Sequence, residues 1–485
     1  MKESLGANGL ILNEPLLWEK GKKGRSGFSL PRRDVESSPF GQALTCEGPD
    51  LPDLSEIDVV RHYTRLSQWN FGVDTGMYPL GSCTMKYSPK TNEKQANLPG
   101  FAGAHPLLPA ALSQGVLRMM FELQQYLAEI TGMDATTLQP AAGAHGELTG
   151  MLLMYAFHKS RGERRFKIIV PDTAHGTNPA SAALCGYSPV PVKSNNQGIL
   201  SVEAIAEVMD ENTAGIMVTN PNTLGLYEEN IHKIAEIVHA KGGIVYCDGA
   251  NMNAVMGVTR MGENGVDVIH LNLHKTFSTP HGGGGPGSGP VCVKKELEPF
   301  LPVPRVMEEN GIYRLSEDFP ESVGRMQAFH GNVGVMIKAY SYIRSMGPKN
   351  LKKASQLAVL NANYIKERLK GTLHLAYDRP CMHECVFSDE YQTAHKIATI
   401  DMAKRLMDYG FHPPTVYFPL VVHGSIMIEP TETESKEDID QFIEAFKAIA
   451  NEAGRDPDLL HDAPQRCKVR RLDETTAARK PCLAG

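Results

Sequence analysis

The chain has 485 residues, with 49 Lys and Arg against 55 Asp and Glu and a formal charge of −6. Hydrophobic residues make up 42% and charged residues 21%, the make-up of a globular protein with ample material for a core. So mild an acidity gives no electrostatic reason to expect nucleic acid or an anionic membrane as partner, and the length allows two or three domains.

The N-terminal segment mixes Lys2, Glu3, Glu14, Lys20, Lys22, Lys23 and Arg25 without the apolar stretch of a secretory signal. Apolar runs such as Met151 to Phe157 are far shorter than the ~20 residues that span a bilayer. The nine cysteines are odd in number and scattered, which suits a reducing compartment better than a disulfide framework. Together these features predict a cytoplasmic enzyme.

Residues 1–100 read as an irregular N-terminal arm, with Gly21 to Pro52 lacking sustained periodicity, and such an arm suits packing on another subunit. From about 114, Val116, Met119, Met120, Leu123, Tyr126, Leu127 and Ile130 recur at helical spacing. Phe166 to Val170, Ala214 to Val218, Gly243 to Cys247, Val266 to Leu271 and Pro290 to Val293 read as buried strands. Glu228 to Ala240 is a helix between two of them, so residues 101–330 predict a large α/β domain. A long helical stretch over 331–370 leads into a smaller α+β unit reaching 485. Its strands are expected within 373–388 and 416–428, and its helix within 435–450.

The most unusual segment runs from His270 through His274, Lys275 and Thr276 into the glycines 282–285. A lysine at the end of an apolar strand, followed by a loop nearly empty of side chains, stands where backbone can approach a ligand. Competing readings are a metal pair at His270 and His274, a dinucleotide loop at Gly282, Gly284 and Gly287, and a plain connector. The strand before the histidines and the prolines at 286 and 290 argue against the first two.

The context favours a lysine that forms a Schiff base with pyridoxal phosphate. Asp248 ends an apolar run one strand-to-strand crossover before Lys275, placed to partner a pyridine nitrogen. The small residues within Gln139 to Glu147 run into an apolar helix at Leu148 to Phe157, whose N-terminus suits a phosphate dianion. His175 follows a strand and is positioned to stack on a ring. Asn220 to Gly225 follows another, and offers a hydrogen bond to a phenolic oxygen. Four strand-end loops, each with a suitable group, make a stronger signal than any one of them.

These segments resemble the glycine decarboxylase (P-protein) family of the glycine cleavage system, in the lysine-bearing chain of its two-subunit form. The resemblance rests on Gly76 to Tyr87, Pro140 to Glu147, Asp172 to Ala182, 270–290, Met427 to Glu434 and Arg470 to Lys480, and covers nearly the whole chain. It implies an aspartate-aminotransferase-like (fold type I) α/β architecture, with a mixed seven-stranded sheet and a small C-terminal domain. It implies Lys275 as the Schiff-base lysine, Asp248 as the ring-nitrogen partner, His175 as the ring stacker and Ala250 against the other face. Ala142, Gly143, Ala144 and His274 are expected at the phosphate, Thr223 near the phenolic oxygen, and Ser82, Cys83 and Thr84 in the substrate pocket. His383-Glu384 is a further signature, but Cys385, Val386 and Phe387 follow where a zinc motif would need a second histidine, and no metal is expected. Arg314 and Arg325 stand as alternatives for the substrate carboxylate. The implied activity is decarboxylation of glycine with transfer of the aminomethyl group to the lipoyl arm of H-protein. The implied partner is a homologous first subunit, two of each chain forming a heterotetramer. Another fold-type-I pyridoxal enzyme and a non-catalytic partner chain are the alternatives.

Overall fold

The computed structural model describes residues 14–36, 50–282 and 287–482. The chain groups into two compact units, one of residues 76–465 and one of residues 1–75 with 466–485. Among the described residues no helix is long and apolar enough to cross a membrane.

In the smaller unit the main element is the helix Glu56–Ser67. Ser55 caps it: the amide of Asp58 donates to the Ser55 hydroxyl at 3.3 Å, and the Asp58 carboxylate accepts from the Ser55 amide at 3.1 Å. The buried Glu14 carboxylate is anchored by His62 and Arg65, each at 2.9 Å, and by Lys20. Part of the irregular Gly21 to Pro52 stretch, residues 37–49, lies outside the described residues.

The larger unit opens its core with the helix Ala110–Thr131, which buries Val116, Met119, Met120, Leu123 and Leu127. Gly132 ends it at φ 72°, a left-handed cap that a side chain would strain. Seven strands follow: β1 (Ala135–Thr137), β2 (Lys167–Pro171), β3 (Ser188–Val192), β4 (Thr213–Thr219), β5 (Ile244–Asp248), β6 (Val268–His270) and β7 (Val291–Val293). They form one mixed sheet in the order β1-β7-β6-β5-β4-β2-β3. β2 to β6 run parallel, and β7 pairs antiparallel with both β6 and β1. The expected strands are all present within a residue or two. β1 and the edge strand β3 are additional.

A hairpin of β8 (Arg305–Glu309) and β9 (Ile312–Ser316) turns at Asn310 and Gly311, both at positive φ. The helix Val333–Leu369 is broken at Gly347, where φ is 65° and Pro348 follows, so the stretch over 331–370 is two helices and not one. A second, antiparallel sheet has the order β10-β11-β13-β12, with β10 at His374–Leu375, β11 at Cys385–Ser388, β12 at Thr415–Val416 and β13 at Ser425–Ile428. Each of the two expected strand stretches is thus a pair of short strands with irregular chain between. The helix Lys436–Arg455 packs behind them through Ile439, Phe442, Ile443, Phe446 and Ile449.

Candidate active site

Parallel strands present their carboxyl ends to one side, and ligands bind there. The registers put Thr219 of β4, Asp248 of β5 and His270 of β6 in one row across that edge. β5 and β6 are neighbours, as the spacing of Asp248 and Lys275 predicts. Lys275 lies five residues past the end of β6, its amide donating to the Asn272 carbonyl at 3.0 Å. A cavity of about 240 Å³ opens over this edge, and both Asp248 and Lys275 line it.

The helix Gly143–Ser160 begins at the same cavity, and no side chain caps it. Its first amides and its dipole are therefore free to meet an anion. A Cβ on Gly143 would stand 2.7 Å from the Asn272 side-chain oxygen, so glycine is needed for the helix start to come this close. That Asn272 oxygen is itself buried without a hydrogen-bond partner in the structure. An uncapped helix start, an orphaned amide and a strand-end lysine facing a strand-end aspartate fit a phosphorylated pyridine aldehyde.

Of the residues singled out in the sequence, Lys275, Asp248, His175, Gly143, Ala144, Thr223, Ala250, His274 and Ser82 line this one cavity. Ala142 precedes the helix as its cap residue, half-buried behind that lining. His175 stands open to the cavity, its Nδ1 2.7 Å from the Thr177 hydroxyl and its ring edge-on to Phe418. Thr223 lines the cavity and donates its hydroxyl to the Thr173 carbonyl at 2.7 Å. The Ala250 amide donates to Asp248 Oδ1 at 2.9 Å. Burial, and the neighbouring His281 and Lys275, push His274 down to about 3, so its imidazole is neutral.

Cys83 and Thr84 do not line the cavity. Thr84 turns away to the Glu429 carboxylate, while Cys83 is half-buried with its thiol pushed up to about 11 by burial. Arg314 and Arg325 are not brought to the site: they pair with Glu309 at 3.0 Å and with Glu317. Glycines 283–285 of the loop after Lys275 lie outside the described residues.

The structure adds groups to which the sequence assigned no role. His270, weighed above only as a metal ligand, places Nε2 3.3 Å from Asp248 Oδ1, and the Tyr246 hydroxyl lies 2.5 Å from its Nδ1. Glu147 is a second buried carboxyl beside Asp248, accepting from Thr177 at 2.8 Å and Ser181 at 3.2 Å. Burial and the Asp248 charge push Glu147 up to about 7. Ser82 reaches the cavity on a segment tied to the second sheet by the Leu80–Ile428 bridge and by Glu429, whose amide donates to the Pro79 carbonyl at 3.2 Å. Alternation and spacing carry no sign of these long-range contacts. The strand-end position of His270 and the place of Glu147 in the second turn of the helix Gly143–Ser160 are the available signals.

Comparison with known proteins bears on the fold and the family. Residues 114–368 match the beta-eliminating lyase family model, and residues 354–461 match the glycine dehydrogenase C-terminal domain. A probable glycine dehydrogenase (decarboxylating) subunit 2 from Caldanaerobacter subterraneus subsp. tengcongensis is 57% identical over 96% of this chain and 98% of its own. Among solved structures, an inhibitor-bound glycine decarboxylase (P-protein) of the glycine cleavage system superposes with a TM-score of 0.72 at 20% identity, over 84% of this chain and 93% of that one. An aspartate aminotransferase from Thermus thermophilus gives 0.58 at 12% identity, over 78% and 99%. The fold is that of the fold-type-I pyridoxal-phosphate enzymes, and the chain belongs to the family of glycine dehydrogenase (decarboxylating) subunit 2.

Proposed function

We propose that this chain is the pyridoxal-phosphate-bearing subunit of a glycine decarboxylase that passes the aminomethyl group to the lipoyl arm of H-protein. The observation that carries the reading is the meeting of Lys275, Asp248 and an uncapped helix start in one cavity. Lys275 is the amine that holds the cofactor aldehyde. The helix start at Gly143 and Ala144, with His274 neutral beside it, receives the phosphate. Asp248 keeps a proton on the ring nitrogen, and His270 holds that carboxylate in place. His175 and Ala250 cover the two ring faces, and Thr223 meets the phenolic oxygen. When bound, the cofactor supplies an electron sink for the pair left on the glycine Cα as CO₂ departs. Ser82, on the segment tied to the second sheet, forms part of the pocket wall and helps to exclude water.

The relatives' designation as subunit 2 supports a homologous subunit 1 as partner, and we place two of each chain in the working assembly. The thiols of Cys83, Cys185, Cys247, Cys292, Cys381 and Cys385 are free, which supports a cytoplasmic setting. We also keep the division into an arm to residue 100, a cofactor domain over 101–330 and a small domain from 331. Confinement of the two larger sheets to residues 135–293 and 374–428 supports it. The test is exchange of labelled bicarbonate into glycine by the purified pair of subunits. Exchange that requires lipoylated H-protein is expected. A transamination or decarboxylation indifferent to H-protein contradicts the reading in favour of another fold-type-I enzyme.

A further inference from the structure

Behind Ser82 two carboxylates are buried almost completely, Glu384 at 0% and Glu429 at 1% exposure. One oxygen of each carboxylate and one ring nitrogen of His383 lie within 4.8 Å of one another. Two carboxylates this close in a dry site cannot both carry charge, so the pair retains one proton. His383 does not neutralise them. Its Nε2 is 3.8 Å from each carboxylate, neither ring nitrogen has a hydrogen-bond partner, and burial with the nearby Lys275 charge pushes it down to about 3. The other titratable groups facing the pair are Cys83, its thiol raised by burial, and the Lys275 ammonium, which favours their charged forms.

The pair also shapes the pocket wall. Ser82 (φ 59°) and Thr84 (φ 47°) sit in the left-handed region, which non-glycine residues rarely occupy without compensation. Here the Ser82 amide donates to Glu384 at 2.7 Å, and the Thr84 amide and hydroxyl donate to Glu429 at 2.9 and 2.6 Å. Held in this way, the Ser82 hydroxyl stands 3.3 Å from both oxygens of Glu384, while the residue lines the cavity beside Lys275.

We propose that Glu384 and Glu429 are a proton store for the group-transfer step, discharged into the cavity through the hydroxyl of Ser82. The proposal rests on the function argued above. In that reaction the Cα–carboxylate bond breaks and CO₂ leaves its electron pair on Cα. A Cα–S bond forms, the arm's S–S bond breaks, and the second sulfur departs as a thiolate with the bonding pair. That thiolate requires one proton. Ser82 donates its own and takes the stored one from Glu384, and water restores the store when the product leaves. Ser82 touches the reacting sulfur, whereas Glu384 and Glu429 act through it as positioning residues.

The experiment combines infrared spectra with single-turnover transfer to lipoylated H-protein by the assembled enzyme. Wild-type protein should show a protonated-carboxyl C=O stretch at mildly alkaline pH that Glu384→Gln removes. Glu384→Gln and Ser82→Ala should each slow transfer about 100-fold, the scale of a lost general acid, and abolish its solvent deuterium isotope effect while the cofactor absorbance stays unchanged. Glu384→Asp should restore part of the rate. Absence of the infrared band overturns the store even if glycine exchange is normal. Wild-type transfer rates in both variants overturn the relay, as does loss of bound cofactor that accounts for all lost activity. Should the band be present and wild-type enzyme show no H-protein-dependent exchange, it is the assigned function that fails, and the role in transfer falls with it.

Discussion

Nε2 of His270 lies 3.3 Å from Oδ1 of Asp248, and the two residues are register partners on neighbouring parallel strands. The Tyr246 hydroxyl, two residues before Asp248 on the same strand, stands 2.5 Å from the opposite ring nitrogen. A hydroxyl donating to Nδ1 fixes the neutral tautomer that turns an N–H toward Asp248. The Asp248 carboxylate is thus oriented on one side by a buried pair and on another by the Ala250 amide.

Tyr246→Phe removes the donor that selects this tautomer but keeps the ring. The imidazole can then present a lone pair to Asp248, and cofactor affinity should fall by about 1 kcal/mol, several-fold, in an absorbance titration. Unchanged affinity would contradict the orienting role.

Gly143→Ala places a methyl group 2.7 Å from the Asn272 side-chain oxygen at the helix start. Either Asn272 or the first helical turn must shift, at a cost of about 1–3 kcal/mol. Cofactor binding should weaken with helical content unchanged, measured by absorbance and far-ultraviolet circular dichroism. Wild-type binding would contradict the close approach as a requirement of the site.

Lys86 is buried, with its ammonium 2.7 Å from Glu432 and 3.0 Å from the Asn253 oxygen. Removing one partner leaves the other charge buried and uncompensated, so Lys86→Met should cost about 3–5 kcal/mol in denaturant unfolding. The double variant Lys86→Met, Glu432→Gln should recover part of the loss.

Glu228 is buried against the Leu200 amide and the Asn222 side chain, each donating at 2.8 Å, and burial raises it from 4.5 to about 7. A folded-state value above the unfolded one means that the native protein binds the proton more tightly. The stabilisation is therefore complete below pH 4.5 and is lost as pH rises toward about 7. Buried histidines such as His274 act in the opposite direction, so the informative quantity is a difference. The gap in melting temperature between Glu228→Gln and wild type should move in favour of the variant as pH rises through this window. A gap independent of pH would contradict the assignment.

Legibility in the sequence followed the range of the interaction. The strands β2, β4, β5, β6 and β7 were visible because continuous apolar runs mark strands buried on both faces. β3 is not legible in the sequence because Pro189 and Pro191 interrupt its apolar positions, and an edge strand tolerates them. The β8–β9 hairpin has a local signal in Asn310-Gly311, the dipeptide of a tight turn. Lys275, Asp248 and His175 could be gathered because strand ends converge by topology. Glu384 and Glu429 could not, since their meeting with Ser82 depends on a segment some 300 residues away in sequence returning to the second sheet.

The central claim is that Lys275 is the amine carrying the cofactor of a glycine decarboxylase, and borohydride reduction followed by peptide mapping tests it most directly. Reduction of the cofactor-loaded enzyme should fix the cofactor on the peptide containing Lys275. In Lys275→Ala no label should be trapped and H-protein-dependent bicarbonate exchange should vanish. Label on another lysine, or exchange that survives in Lys275→Ala, would contradict the account.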